Sequence, residues 1–128
     1  IAFVPFSPLG RGFLTGAVQT TENMTAGDFR LSSPRFQGEN FEKNQEIVEV
    51  IKGIAGKYGA TPAQVALAWV LAQGGDILPI PGTKRVAYLE QNLAAAELQL
   101  DARDLAELGK IHVHGARYSE ENQRYVQE

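Results

Sequence analysis

Cysteine is absent from the 128-residue chain, which removes disulfides, thiol nucleophiles and thiolate metal sites and fits a reducing, cytoplasmic setting. No apolar run reaches the length needed to cross a bilayer, so no membrane partner is expected. A charge excess is missing as well. Twelve Lys and Arg face fifteen Asp and Glu, a net charge of −3, so there is no general nucleic-acid footprint and any basic site must be local. Catalytic constellations are scarce. His112 and His114 stand two apart, a spacing that does not share a helix face, and no carboxylate cluster completes a metal site beside them. No serine has a His/Asp arrangement around it, and no glycine-lysine pair has Walker A spacing. Neither catalytic nor metal-binding residues are expected in this chain.

What remains is ordinary for one globular domain with a real core: 44% hydrophobic and 21% charged residues. The first residue is Ile, inside the apolar run IAFVPF, and we expect a C-terminal piece of a longer protein. Residues 1–6 read as a short buried strand, apolar on both faces. A glycine-punctuated loop follows through Gly16, then a polar loop over residues 17–40. In that loop Phe29 and Phe36 either cover a pocket or pin the loop to the surface. The 3.6-residue recurrence of Ile47, Val50, Ile51, Ile54 and Tyr58 predicts a helix over 41–58, with Asn40 as N-cap and Gly59 as its stop. Thr61, Pro62 and Gln64 announce a second helix with a capping box, ending by Gly74 and Gly75. Its Trp69 reads as core. Residues 77–80 form another apolar strand. A helix from about Val86 should carry Val86, Leu89, Leu93 and Ala96 inward. A further one starts at Asp101 with Leu105, Leu108 and Ile111 on one face, and a short helix follows Ser119. Strand, helices, strand, helices implies an α/β class with parallel strands. Two strands cannot make a sheet covered on both faces, so the missing strands are expected upstream.

The chemistry concentrates at the two strand exits. In ILPIPGTKRVAYLEQN, residues 77–92, Gly82 permits close backbone approach, Thr83 offers a hydroxyl and Lys84 a point charge. Lys84 and Arg85 sit at a helix N-terminus, where cations are disfavoured unless an anion is present. Tyr88, Gln91 and Asn92 fall on neighbouring parts of one helix face. A nucleotide base could stack on Tyr88 and bond to the amides; a solvated polar face fits the same spacing. At the first exit Ser7, the backbone of residues 9–12 and Arg11 could receive a pyrophosphate. Gly10, Gly12 and Gly16 invite a dinucleotide-fold reading, but no amphipathic helix runs directly from them, as that fold requires.

Together VPFSPLGRGFLTG (residues 4–16), DFRLSSPRFQGENFEKN (28–44) and ILPIPGTKRVAYLEQN (77–92) resemble the last two strand-loop units of an aldo-keto reductase of the bacterial and plant type. The similarity covers nearly the whole chain and weakens after about residue 112. It implies a (β/α)8 barrel. Residues 1–128 would be the C-terminal part of its single domain, the last two strands and their helices, with the catalytic first part absent. It further implies that Phe6 stacks on a nicotinamide ring, and that Ser7, Leu9, Gly10 and Arg11 line the pyrophosphate and ribose. Gly82, Thr83 and Lys84 would surround an adenosine 2′-phosphate. Tyr88 stands where many members have Arg, and Gln91, where many have Glu, would meet the adenine edge with Asn92. The cation pair favours NADP over NAD. The family's Asp, Tyr, Lys and His tetrad comes from earlier strands. Tyr58, Tyr88, Tyr118 and Tyr125 lie in the wrong contexts to replace its Tyr. The implied function is the NADP-binding segment of an NADPH-dependent oxidoreductase acting on a small-molecule carbonyl substrate, without catalysis by the segment alone. The alternative is a non-catalytic nucleotide-binding barrel that serves as a regulatory subunit. An unclosed barrel would expose strand edges and core, so the isolated segment is expected to be unstable or aggregation-prone.

Overall fold

A computed structural model describes residues 1–123. Its frame is a pair of helices, α1 (Gly38–Tyr58) and α2 (Pro62–Leu71). Three shorter ones follow: α3 (Val86–Ala94), α4 (Ala102–Gly109) and α5 (Glu120–Gln123). None of the described helices is long and apolar enough to cross a membrane.

The predicted strands run side by side and parallel, with Phe3 opposite Ile77 and Phe6 opposite Ile80. Phe3 N–H donates to Asp76 O at 2.8 Å, Leu78 N–H to Phe3 O at 2.9 Å and Ile80 N–H to Pro5 O at 3.3 Å. They form two separate pairings rather than a continuous ladder. Pro5 and Pro79 carry no N–H, so the alternation of donors is broken in both segments. The expectation of burial on both faces also fails: Phe3 is 63% and Leu78 56% exposed. Val4 and Ile80 are likewise half exposed, and in the first segment Phe6 carries a side chain over its ring, that of Arg117.

The cap of α1 differs from the expected one. The helix begins at Gly38 after Gln37, and Asn40 falls inside its first turn. There Asn40 uses its side-chain amide to donate to Pro34 O at 3.2 Å. Gly59 ends the helix as expected, at φ 60°. At α2 the capping box is complete: Gln64 N–H donates to Thr61 Oγ1 at 3.2 Å, and Thr61 N–H to Gln64 Oε1 at 2.9 Å. A cap of this kind contributes roughly 1 kcal/mol. Asp101 caps α4 through the Asp104 N–H at 2.8 Å.

The core joins Ile47, Ile51, Ile54 and Ala55 of α1 to Val65 of α2 and Leu108 of α4, with Trp69 packed partly against it. A second cluster contains Phe13, Phe36 and Val48. Phe13 and Phe36 meet edge to face at 5.5 Å. Phe36 therefore pins the 17–40 loop, while Phe29 stays exposed. The α3 stripe points the other way from the expected one. Val86 is 72%, Leu93 66% and Leu89 49% exposed, and Ala96 is exposed too. The short turn Ala95–Glu97 instead presents Ala95, which is 1% exposed. A small residue lets this turn lie close to α2, and the larger side chains of α3 are left on the outer face.

Two buried polar residues tie distant segments together. Asp104, 0% exposed, accepts from Lys57 Nζ at 2.5 Å and from Tyr58 Oη at 2.8 Å. The Lys57 bond, then the Tyr58 bond, hold its pKa below the usual carboxylate range. Asn44 donates to His114 O at 2.9 Å and Arg35 O at 3.1 Å, and accepts from His114 N–H at 2.9 Å. This clamp seats the stretch after α4 against α1.

Candidate functional site

The two strand exits open on one cleft of about 610 Å³. From the first exit Ser7, Leu9 and Arg11 line it; from the second, Gly82, Thr83, Tyr88, Gln91 and Asn92. Eight residues singled out from the sequence thus share one cavity, although the exits are far apart along the chain.

Local geometry explains what the first exit can offer. Ser7 and Arg11 hold φ of 48° and 58°, the two non-glycine residues at positive φ among those described. Such backbone is strained and recurs where a loop shape serves a site. Gly10 N–H donates to Ser7 O at 3.0 Å, and Gly12 N–H to Leu9 O at 3.1 Å. The N–H groups of Leu9 and Arg11 have no backbone partner among the described residues, and are the ones free for an anion. At the second exit a Cβ added to Gly82 would meet nothing within 4 Å, so there is open space over its backbone. Thr83 Oγ1 accepts from Arg85 N–H at 3.2 Å and steadies the entry to α3. Arg85 folds back over Tyr88, 5.5 Å from the ring centroid. Gln91 is fixed by its main chain, whose carbonyl accepts from Gln64 Nε2 at 3.2 Å. Its side-chain amide has no partner among the described residues.

Three expected residues do not line the cleft. Lys84 is exposed at the start of α3. Gly10, at φ 59°, turns toward Phe13 and Leu14, which a Cβ there would meet at 3.6 and 3.7 Å. Phe6 is covered by Arg117, whose guanidinium carbon stands 4.2 Å from its ring centroid. Conversely, Thr61, Pro62 and Ala63 line the cleft and were not singled out for it. The signal was present in the capping box, because a helix N-terminus directs partial positive charge at whatever it faces. Of the tyrosines, Tyr88 lines the cleft, Tyr58 is engaged with Asp104, and Tyr118 packs near Phe29 at 6.5 Å. Tyr125 lies outside the described residues. Among the described residues no group of three or more His, Asp or Glu could hold a metal ion.

The profile of the aldo/keto reductase family matches residues 1–112. Aldo-keto reductase yakc [NADP(+)] of Schizosaccharomyces pombe is 51% identical over 122 residues, covering 92% of this chain and 36% of that protein. Probable aldo-keto reductase 1 of Glycine max is 48% identical, with 92% and 35% covered. Aldo-keto reductase str7 of Strobilurus tenacellus is 43% identical over 111 residues, with 87% and 33% covered. The chain therefore spans about a third of the length of these relatives. A crystal structure of a thermostable aldo-keto reductase with the inhibitor epalrestat superposes with a TM-score of 0.55 at 25% identity, covering 84% of this chain and 28% of that one.

Proposed function

Because the chain belongs to the aldo/keto reductase family, we propose that it is the cofactor-binding C-terminal part of an NADP-dependent carbonyl reductase. In this reading it supplies the last two strands and their helices to a (β/α)8 barrel. The observation that carries the proposal is the shared cleft. Eight residues from two strand exits converge on it, and strand exits at the C-terminal face are where such barrels bind phosphate and substrate.

The residues present fit the cofactor. The free N–H groups of Leu9 and Arg11, with Ser7, suit a pyrophosphate, and the open backbone at Gly82 and the N-terminal turn of α3 suit a further phosphate. Tyr88, Gln91 and Asn92 offer a ring and two amides to a purine. Lys84, on a flexible four-carbon stem, can swing to a 2′-phosphate at the edge of the cleft. NADPH supplies a hydride for a carbonyl carbon. This chain's residues bind and orient it, and a proton donor must come from the preceding strands. Whole-protein substrates would be small aldehydes or ketones.

The test is Lys84→Ala in the full-length protein. The dissociation constant for NADPH should rise about tenfold or more, and that for NADH by less than about twofold. Equal loss for both cofactors would remove the 2′-phosphate role. Consumption of NADPH on adding an aldehyde separates the reductase from a nucleotide-binding relative, which would bind the cofactor without consuming it.

A further inference from the structure

Three arginines from distant parts of the chain gather beside the first strand exit. The Arg11 guanidinium lies between the rings of Phe29 and Tyr118, 4.8 and 5.0 Å from their centroids, and donates to Arg117 O at 3.2 Å. Arg117 covers Phe6 and donates to Phe6 O at 3.2 Å. Arg35 donates to Gly115 O at 3.2 Å. Burial, then the charges of Arg117 and Arg11, push the Arg35 pKa down. A guanidinium has five N–H donors, and each of these three uses one on a backbone carbonyl. None of the three pairs with a carboxylate among the described residues; the arginine that does is Arg30, with Asp28.

Like charges do not collect unaided, and here they are held by a built device. Asn44 fixes His114 by both main-chain groups. Gly115 then passes at φ 86° so close to Pro34 that a Cβ would lie 3.0 Å from its carbonyl oxygen and 2.9 Å from the Asn40 amide. The tail is thereby seated, and Arg117 is delivered to Phe6. Arg35 and Arg117 do not line the cofactor cleft; Arg35 lines a separate small pocket with Gly10 and Asn44, and Arg117 stands over Phe6 at the first strand exit. Half-buried, unpaired guanidinium forks favour a carboxylate or phosphate bound through two parallel hydrogen bonds.

We propose that Arg117 and Arg35, with Arg11, form a seat for an anionic group on the substrate, so that the carbonyl compounds reduced carry a carboxylate or phosphate remote from the reacting carbon. This rests on the carbonyl-reductase reading, which puts the nicotinamide against Phe6 and hence next to Arg117.

The experiment compares full-length wild type, Arg117→Met and Arg117→Lys on three aldehydes of matched length, ending in a carboxylate, a phosphate or a methyl group. In Arg117→Met the kcat/KM ratio of charged to uncharged aldehyde should fall about tenfold, mainly through KM, with partial recovery in Arg117→Lys. Whichever charged aldehyde loses more identifies the anion. An equal fall for charged and uncharged aldehydes overturns the proposal. So does a matching loss of NADPH affinity in a parallel titration, since the seat would then belong to the cofactor. If no aldehyde is reduced, the reductase reading fails on its own, and calorimetry with succinate and with inorganic phosphate decides the seat. Binding that Arg117→Met weakens supports it; no binding overturns it.

Discussion

Replacing Ile54 by alanine is expected to lower the stability of the full-length protein by about 4 kcal/mol, within the range for a large-to-small change in a core. Ile54 is 2% exposed and sits among Ile47, Ile51, Val65 and Leu108, where α1 meets α2 and α4. The upper part of the range applies because the surroundings cannot collapse into the gap. One turn further along α1, Lys57 and Tyr58 are bonded to the buried Asp104, and Thr61 and Gln64 fix the start of α2. Ile54→Val, which removes one methylene, should cost only about 1 kcal/mol. Urea unfolding of the two variants measures both values. A loss under about 1.5 kcal/mol for Ile54→Ala would mean that the helices close over the cavity, and that the polar ties at Asp104 and Thr61 do not hold them apart.

Asn44→Ala should cost about 3 kcal/mol, because three main-chain groups lose a partner at once and unmet buried groups cost roughly 1–3 kcal/mol each. The groups are the carbonyl of Arg35 and both the N–H and the carbonyl of His114. No hydrophobic replacement restores them. The loss should also be local in its effect. Amide exchange at His114 and protease cleavage near residues 112–118 should both accelerate, because the clamp is what seats this stretch. A variant that loses stability while exchange at His114 stays at the wild-type rate would show that something other than Asn44 holds the tail.

What the sequence revealed depended on how local the cause was. The α2 cap was legible because Thr61, Pro62 and Gln64 act within four residues. The stop at Gly59 was legible for the same reason. The start of α1 was misplaced because the chain already turns helical at Gly38, so Asn40, a good cap by type, lies inside the first turn, where its amide donates to Pro34 O. The α3 stripe has helical spacing, but periodicity tells only that apolar residues share a face. Which face meets a neighbour depends on how Ala95 lets its turn approach α2. The converging cleft residues were readable as two loop motifs, and their meeting follows from the parallel pairing of the two strands. The arginine seat was not legible. Its bonds join residues separated by 106, 111 and 80 positions, and nothing in the neighbourhood of Arg117 marks it as a partner for Phe6 or Arg11.

The pairing of Phe3 with Ile77 and of Phe6 with Ile80 also has a kinetic side. Contacts between α1 and α2 link near neighbours in sequence, whereas bringing the two strand segments together closes a loop that contains both helices. Loop closure costs entropy before it returns contacts, so this pairing belongs late in folding, after the helix pair. The cleft exists only once that closure is made, since each exit supplies one side of it. A nucleotide that touches both exits would act as a clasp on a junction held by two isolated pairings, and add stability in proportion to RT ln(1 + [L]/Kd). Limited proteolysis at the first strand segment, slowed by NADPH in proportion to its occupancy, would register the clasp; cleavage indifferent to the nucleotide would show that the segments are held together without it.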